Sequence, residues 1–409
     1  MSNRGSREER QKIRRMVLEQ IPPDSELQEG QLLQLIDENI QRVSGESYLR
    51  FADRKKLRTS IYNSMRRLDV LQELLEDENI TEIMVNGPDH IFIEQKGQMM
   101  ETGLVFDSQE RLSDIAQQIA SEGNRIVNET SPILDVRLAD GSRVNIVMPP
   151  VAMDGPVITI RKFPRDPLTM DRLTEMGALT EEAAEVLRKL VEAKYNIFIS
   201  GGTGAGKTTF LNILSNYIPE DERIITIEDS AELQIREVKN LVRLEARNAN
   251  VEGKNQVTIR ELIKSALRMR PDRIVVGEIR DATAIDMLTA MNTGHDGSLS
   301  TGHANSPGDM LNRLETLVLM GMEIPLEAVR QQIASAIDII VHLGRLRDKS
   351  RKVLEICEVG QCERGKIGMY PLFQFCEERE QEGKIIGSLK RTDHKLINED
   401  KCAKAGVQI

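Results

Sequence analysis

Nine consecutive residues in this 409-residue chain carry the clearest chemistry. Gly201-Gly202-Thr203-Gly204-Ala205-Gly206-Lys207-Thr208-Thr209 satisfies the pattern G-x-x-x-x-G-K-[ST]. It follows the apolar stretch Asn196–Ser200 and opens a helical segment, the context that a phosphate-binding loop requires. The glycines let the backbone turn tightly, so that successive N–H groups face the β- and γ-phosphates of ATP. The helix N-terminus adds partial positive charge. Lys207 then places a cation on those phosphates, and the Thr208 hydroxyl is the expected Mg²⁺ ligand.

In an open α/β sheet, ligands gather outside the carboxyl ends of the strands. The residues just beyond each expected strand are therefore the next candidates. Glu228-Asp229 follows Ile224–Ile227, and Gly277-Glu278 follows Ile274–Val276 with a small residue before the acid, as in a Walker B strand. His303 follows Ser298–Thr301. A P-loop, two acids and an imidazole on one edge are the parts of a phosphoanhydride hydrolase, which needs a second metal anchor and an acceptor that orients water. Glu278 is assigned to the metal and its water, and Glu228 is the candidate base, although the sequence does not order these two roles. His303 and His295 are candidates for sensing the γ-phosphate or subunit closure, with a structural histidine as the other reading. Their window, Gly294–His303, lacks carboxylate or cysteine partners at metal spacing, which argues against zinc.

These groups need a scaffold that lines up strand ends. Helical segments at Glu181–Ala193, Lys207–Asn216, Ile259–Arg268 and Ala282–Met291 alternate with strands at Asn196–Ser200, Arg223–Ile227, Arg273–Val276 and Ser298–Thr301. That rhythm predicts an α/β fold with a mostly parallel, doubly wound sheet over residues 173–345. Residues 66–163 read as an α+β domain, with short strands and turns around a helix at Ser108–Glu122. A stiff linker with two prolines, 164–172, separates the two. Residues 1–65 read as a helical, partly flexible extension. Leu32, Leu35, Ile36 and Ile40 fall at helical spacing, and the first twenty residues, with six basic and three acidic side chains, read as a solvated arm, a membrane-surface or partner-binding helix being the other reading. Residues 346–409 read as a small C-terminal region of mixed, short strand-like pieces.

Composition narrows the function. The formal charge is −10, with five tyrosines, eight phenylalanines and no tryptophan. An acidic chain with few stacking platforms is a poor nucleic-acid coat, so no specific nucleic acid is expected. No uncharged apolar run approaches the roughly 18 residues of a membrane span, so any membrane contact is expected to be peripheral. The N-terminal residues do not read as a secretory signal. Cys357, Cys362, Cys376 and Cys402 match no metal-knuckle or disulfide framework and read as reduced cytoplasmic thiols. Guanine-specificity, transporter-cassette and kinase signatures are absent, which leaves a RecA-type ATPase.

Longer stretches then carry a family resemblance. Ile80–Gly87, Leu134–Asn145 and Ile158–Phe163 resemble the N-terminal domain of the CpaF/TadA-type secretion ATPases, within the type II/IV secretion ATPase superfamily. So do Leu267–Arg273 leading into Glu278, and Ala290–Gly297. The resemblance covers about residues 66–345. It implies a RecA-like P-loop domain preceded by a PAS-like domain, in a cytoplasmic homo-hexamer. It further implies docking on inner-membrane platform proteins to assemble Flp-type (tight-adherence) type IV pili. It maps the Walker A, Asp, Walker B and His boxes onto Gly201–Thr208, Glu228-Asp229, Gly277-Glu278 and the segment ending at His303. It also implies basic N-terminal-domain contacts to nucleotide at Arg137, Arg143 and above all Arg161, internal salt bridges being the other reading for Arg137 and Arg143. The tail turn Asp348-Lys349-Ser350-Arg351 departs from the family pattern. Three rivals stay open: a conjugative or effector-export type IV secretion ATPase, a nucleotide-gated scaffold without turnover, and a nucleic-acid motor.

Overall fold

The computed structural model describes residues 3–22, 27–44, 50–95, 97–163, 168–247 and 255–409. The chain divides into two compact units, Met1–Arg165 and Asp166–Ile409.

The first unit opens with α1 (Asn3–Gln20), α2 (Glu29–Ser44) and α3 (Phe51–Arg66). These helices pack on a small core of their own, in which Ile13, Val17, Leu32, Ile36, Ile40 and Ile61 are buried. The helical spacing of residues 32–40 is thereby explained, and α1 is not a solvated arm. One of its basic residues, Arg10, is buried and paired. Arg10 stands 3.3 Å from Asp69 and 2.8 Å from Asp107, and Arg111 Nε donates to Asp69 at 2.8 Å. Charges this deeply buried persist because they are paired.

Beyond α4 (Leu71–Glu76) come β1 (Ile80–Asn86), β2 (Ile91–Gln95), β3 (Gln98–Glu101), α5 (Gln109–Glu122), β4 (Ile133–Arg137), β5 (Arg143–Val147) and β6 (Val157–Arg161). The strands form one antiparallel sheet in the order β3-β2-β1-β6-β5-β4. Helix α5 starts where Ser108 caps it by accepting from Arg111 N, and its face of Leu112, Ile115, Ala116 and Ile119 is buried in the same core as the sheet.

The second unit contains α6 (Met170–Glu175), α7 (Glu181–Glu192), β7 (Ile197–Gly201), α8 (Lys207–Ser215), β8 (Arg223–Glu228), β9 (Asn240–Glu245), α9 (Ile259–Ala266), β10 (Arg273–Val276), α10 (Ala284–Asn292) and β11 (Leu299–His303). It continues through α11 (Pro307–Leu319), α12 (Leu326–Ala336), β12 (Ile339–Arg345), β13 (Arg351–Glu363), β14 (Lys366–Gln381), β15 (Lys384–Arg391) and α13 (Asp400–Ala405). Nine strands make one sheet in the order β15-β14-β13-β12-β7-β11-β10-β8-β9. From β12 to β9 the neighbours are parallel, and β13 to β15 extend the β12 edge antiparallel. The residues after 346 therefore build long strands of the main sheet and not short separate pieces. Pro164 and Pro167 of the expected linker lie outside the described residues.

Strand β7 is central and buried along its whole length, as an apolar parallel strand covered on both faces must be. Ile197 and Ile199 join one core with α7 and α8, while Phe198 joins another with α10, α11 and α12. At the opposite end of β10, Arg273 is fully buried. It binds Glu222 through two nitrogens at 2.6 and 2.8 Å and donates to Val191 O at 2.5 Å. Gly297 makes room for it: a Cβ there would lie 2.6 Å from Arg273 Nη1.

Candidate active site

The loop between β7 and α8 is shaped by its glycines. Gly204 and Gly206 hold φ of 71° and 96°, in the left-handed region where side chains are strained, and Gly206 is the residue that caps α8. A Cβ on Gly201 would lie 2.5 Å from Leu343 O on the neighbouring strand. Gly202 and Thr203 are exposed, Ala205 is buried, and Thr208 and Thr209 occupy the first turn of α8 with Thr208 half-buried.

Lys207 is buried, and its Nζ donates to Gly202 O at 3.0 Å and to His303 Nδ1 at 3.3 Å. Burial lowers the Lys207 pKa, and Glu278 nearby opposes that shift. His303 closes β11 directly beside Gly201 in the parallel register. Its pKa is also lowered, first by burial, with Glu278 pulling the other way. A lysine ammonium can only donate, so Nδ1 accepts and a neutral His303 carries its proton on Nε2. That nitrogen is 3.0 Å from Glu278 Oε1.

Glu278 links these groups to the next cation. Its Oε2 accepts from Arg280 Nη2 at 2.8 Å, and Arg280 Nη1 lies 3.5 Å from Asp229. Oε1 is buried and, despite the close imidazole, has no aligned hydrogen bond among the described residues. A side-chain acid oxygen left open beside the P-loop lysine fits a Mg²⁺ ion or its water.

Glu228 ends β8, the strand next to β10, and is 3 % exposed. Its Oε2 accepts from the N–H groups of Glu232 (2.7 Å) and Leu233 (3.0 Å), while Oε1 is buried without a hydrogen bond among the described residues. Burial pushes its pKa up to about 7, against the pull of those two N–H groups. Gly277 gives the side chain its space, because a Cβ there would stand 3.1 Å from Glu228 Cγ.

Thus Lys207, Glu278 and His303 come together at one sheet edge, with Glu228 closing the adjacent strand. His295 does not join them; its Nδ1 lies 3.3 Å from Ala290 O at the end of α10. Arg137, Arg143 and Arg161 belong to the first unit, where the register aligns them on one rung across β4, β5 and β6 that ends on Glu82 of β1. Arg161 is exposed, with Nε 3.7 Å from Glu82. Two residues were missed. Arg280 stands only two positions beyond Glu278 and was legible from that spacing. Arg351, whose Nε donates to Gly204 O at 2.8 Å, comes from 147 positions away in sequence and had no local signal. A cleft of about 550 Å³ opens beside His303 and Arg280, lined also by Asn305, Asp309 and Arg313.

A family model described as "Type II/IV secretion system protein" matches residues 65–404. The chain belongs to this family. The chain is 33 % identical over 298 residues to the conjugal transfer protein TrbB of Rhizobium radiobacter, covering 71 % of this chain and 87 % of that one. It is 31 % identical over 331 residues to the type IV secretion system protein VirB11 of Bartonella henselae, covering 71 % and 92 %. The X-ray structure of the Legionella pneumophila ATPase DotB is similar with a TM-score of 0.52 at 22 % identity, over 72 % of this chain and 80 % of that one, a likeness of fold. No helix among the described residues is long and apolar enough to cross a membrane.

Proposed function

We propose that this chain hydrolyses Mg-ATP and works as a homo-hexameric ring, docked peripherally on inner-membrane platform proteins at the cytoplasmic face. The observation that carries the reading is the continuous contact from Lys207 through His303 to Glu278 and Arg280 on the P-loop edge. Bound ATP would replace Gly202 O and His303 as acceptors for Lys207, which then neutralises the β- and γ-phosphates. Thr208 and Glu278 would hold the Mg²⁺ that arrives with ATP, which supplies charge stabilisation on the transferring phosphoryl group. Glu228, with a pKa near 7 and an open oxygen, is suited to take the proton of the attacking water. His303, freed from Lys207, turns toward the terminal phosphate. The family resemblance assigns contacts to nucleotide to Arg161 foremost and to Arg137 and Arg143, with internal salt bridges the other reading for the latter two.

The machine served is read as Flp-type pilus assembly, on the CpaF/TadA-like stretches Ile80–Gly87, Leu134–Asn145 and Ala290–Gly297. The names of the TrbB and VirB11 relatives favour a second reading, a conjugative or effector-export type IV secretion ATPase. Hydrolysis per subunit measured across protein concentration tests the ring. Turnover that rises with concentration, and falls in Arg161→Ala, supports a site completed by a neighbour. Constant specific activity, or tight ATP binding with no turnover at any concentration, contradicts it.

A further inference from the structure

Strand β7 has a different kind of neighbour on each side. On one side stands β11, whose His303 pairs with Gly201 and leads to Glu278, the flank where hydrolytic groups collect. On the other side stands β12, whose Leu343 pairs with the same Gly201. The hairpin joining β12 to β13 therefore overhangs the P-loop on the flank away from the hydrolytic groups.

That hairpin is firmly built. Asp348 Oδ1 accepts from Ser350 N at 2.9 Å and Ser350 Oγ at 2.6 Å, and Asp348 Oδ2 accepts from Ile385 N at 2.9 Å. Three arginines surround it. Arg347 is neutralised by Glu377 and Glu380. Arg345 and Arg351 have no carboxylate partner among the described residues, and both are exposed. They also face one another directly across the β12–β13 ladder. Like charges directly opposite on a sheet destabilise it, so this doublet costs the protein stability until an anion lies against it. Alternation puts both arginines on the face of Leu343 and Val353, the face that packs with α8 in the same core. Arg351 already reaches the loop. Its Nε donates to Gly204 O, and its Cδ lies 3.7 Å from where a Cβ on Gly206 would stand.

We propose that Arg351, supported by Arg345, is a nucleotide-binding residue of this same chain that takes the diphosphate portion of the nucleotide. The inference rests on the Mg-ATP reading above. On nucleotide binding, Arg351 exchanges a neutral carbonyl acceptor for an anionic phosphate oxygen, and charge-assisted bonds of that kind are roughly twice as strong. Because Lys207, Glu278 and His303 occupy the other flank, Arg351 meets phosphates that remain on the product. It therefore holds ADP as firmly as ATP and contributes uniform binding, not transition-state binding.

The test is calorimetric titration of Mg-ADP and Mg-ATP into the full chain and into Arg351→Ala, Arg351→Lys and Arg345→Ala, with melting of each ligand-free protein. The expected result is a loss of about tenfold in affinity for both nucleotides in Arg351→Ala. Lysine recovers part of it, and Arg345→Ala shows a smaller loss. KM rises in proportion with kcat held within about twofold, and the ligand-free melting temperature does not fall. An unchanged ADP affinity in Arg351→Ala, a loss confined to ATP, or a fall in ligand-free stability matching the lost affinity overturns the proposal. A wild-type chain that binds neither nucleotide overturns the Mg-ATP reading and this inference with it.

Discussion

Replacing Glu228 by Gln separates stability from chemistry at the sheet edge. The carboxyl is buried, and its pKa rises from an ordinary 4.5 to about 7. A folded-state pKa above the unfolded one means that the native protein holds this proton more tightly. The stability that it contributes is whole below pH 4.5 and is lost as pH climbs through 7. At about 1.4 kcal/mol for each tenfold in proton affinity, the full loss is about 3 kcal/mol. Glutamine keeps the shape, and its amide oxygen can keep both N–H contacts from Glu232 and Leu233 without ever ionising. Urea unfolding near pH 8.5 is therefore expected to show Glu228→Gln more stable than wild type by up to about 3 kcal/mol. Near pH 5 the two converge. Turnover behaves in the opposite sense: wild-type kcat rises with pH through about 7, and the variant is inactive throughout. A wild-type unfolding profile that is flat from pH 5 to 8.5, or a variant weaker than wild type at pH 8.5, refutes the reasoning.

Other perturbations follow from single contacts. Gly277→Ala crowds Glu228 Cγ at 3.1 Å and is expected to lower turnover by about tenfold while nucleotide affinity stays within a factor of about two, read by steady-state kinetics beside titration. Arg273→Ala strips the buried Glu222 of its bidentate partner and is expected to destabilise the second unit by about 3–5 kcal/mol, seen in thermal or urea unfolding. Ile13→Ala empties part of the three-helix core at the N-terminus at a cost of about 2–5 kcal/mol. Limited proteolysis should then cut residues 1–66 first while Mg-ATP binding is retained.

The parts of the fold that announce themselves locally were legible in the sequence. The strand ahead of the glycine-rich loop and the strands that run up to Glu228, Gly277 and His303 lie within two residues of where period and punctuation put them, β8 and β11 extending to include Glu228 and His303. What escaped was fixed by distant partners. Strand β9 carries Leu241, Val242 and Leu244 but no fully buried residue and no strict alternation, so its short segment is held as a strand by pairing with β8. The strands β13 to β15 carry bulges that break their alternation, and their length comes from the ladder they share with β12. The burial of α1 could not be read from a segment so rich in charge, because Arg10 is matched by Asp69 and Asp107, 59 and 97 positions further on. The chemistry followed the same division. Among the candidate site residues, Lys207, Thr208 and Glu278 lie in motifs, Arg280 lies two positions from one, and the contact of Arg351 with Gly204 has no local signal.

Whether Lys207 binds phosphate and Glu278 organises its hydrolysis is tested in one single-turnover experiment. Radiolabelled ATP is mixed with excess wild type, Lys207→Ala or Glu278→Gln, and bound nucleotide and released phosphate are followed in the same samples. Rapid phosphate release is expected from wild type, little bound nucleotide with Lys207→Ala, and ATP retained intact by Glu278→Gln. Release from Glu278→Gln at the wild-type rate, or undiminished binding by Lys207→Ala, would contradict these roles.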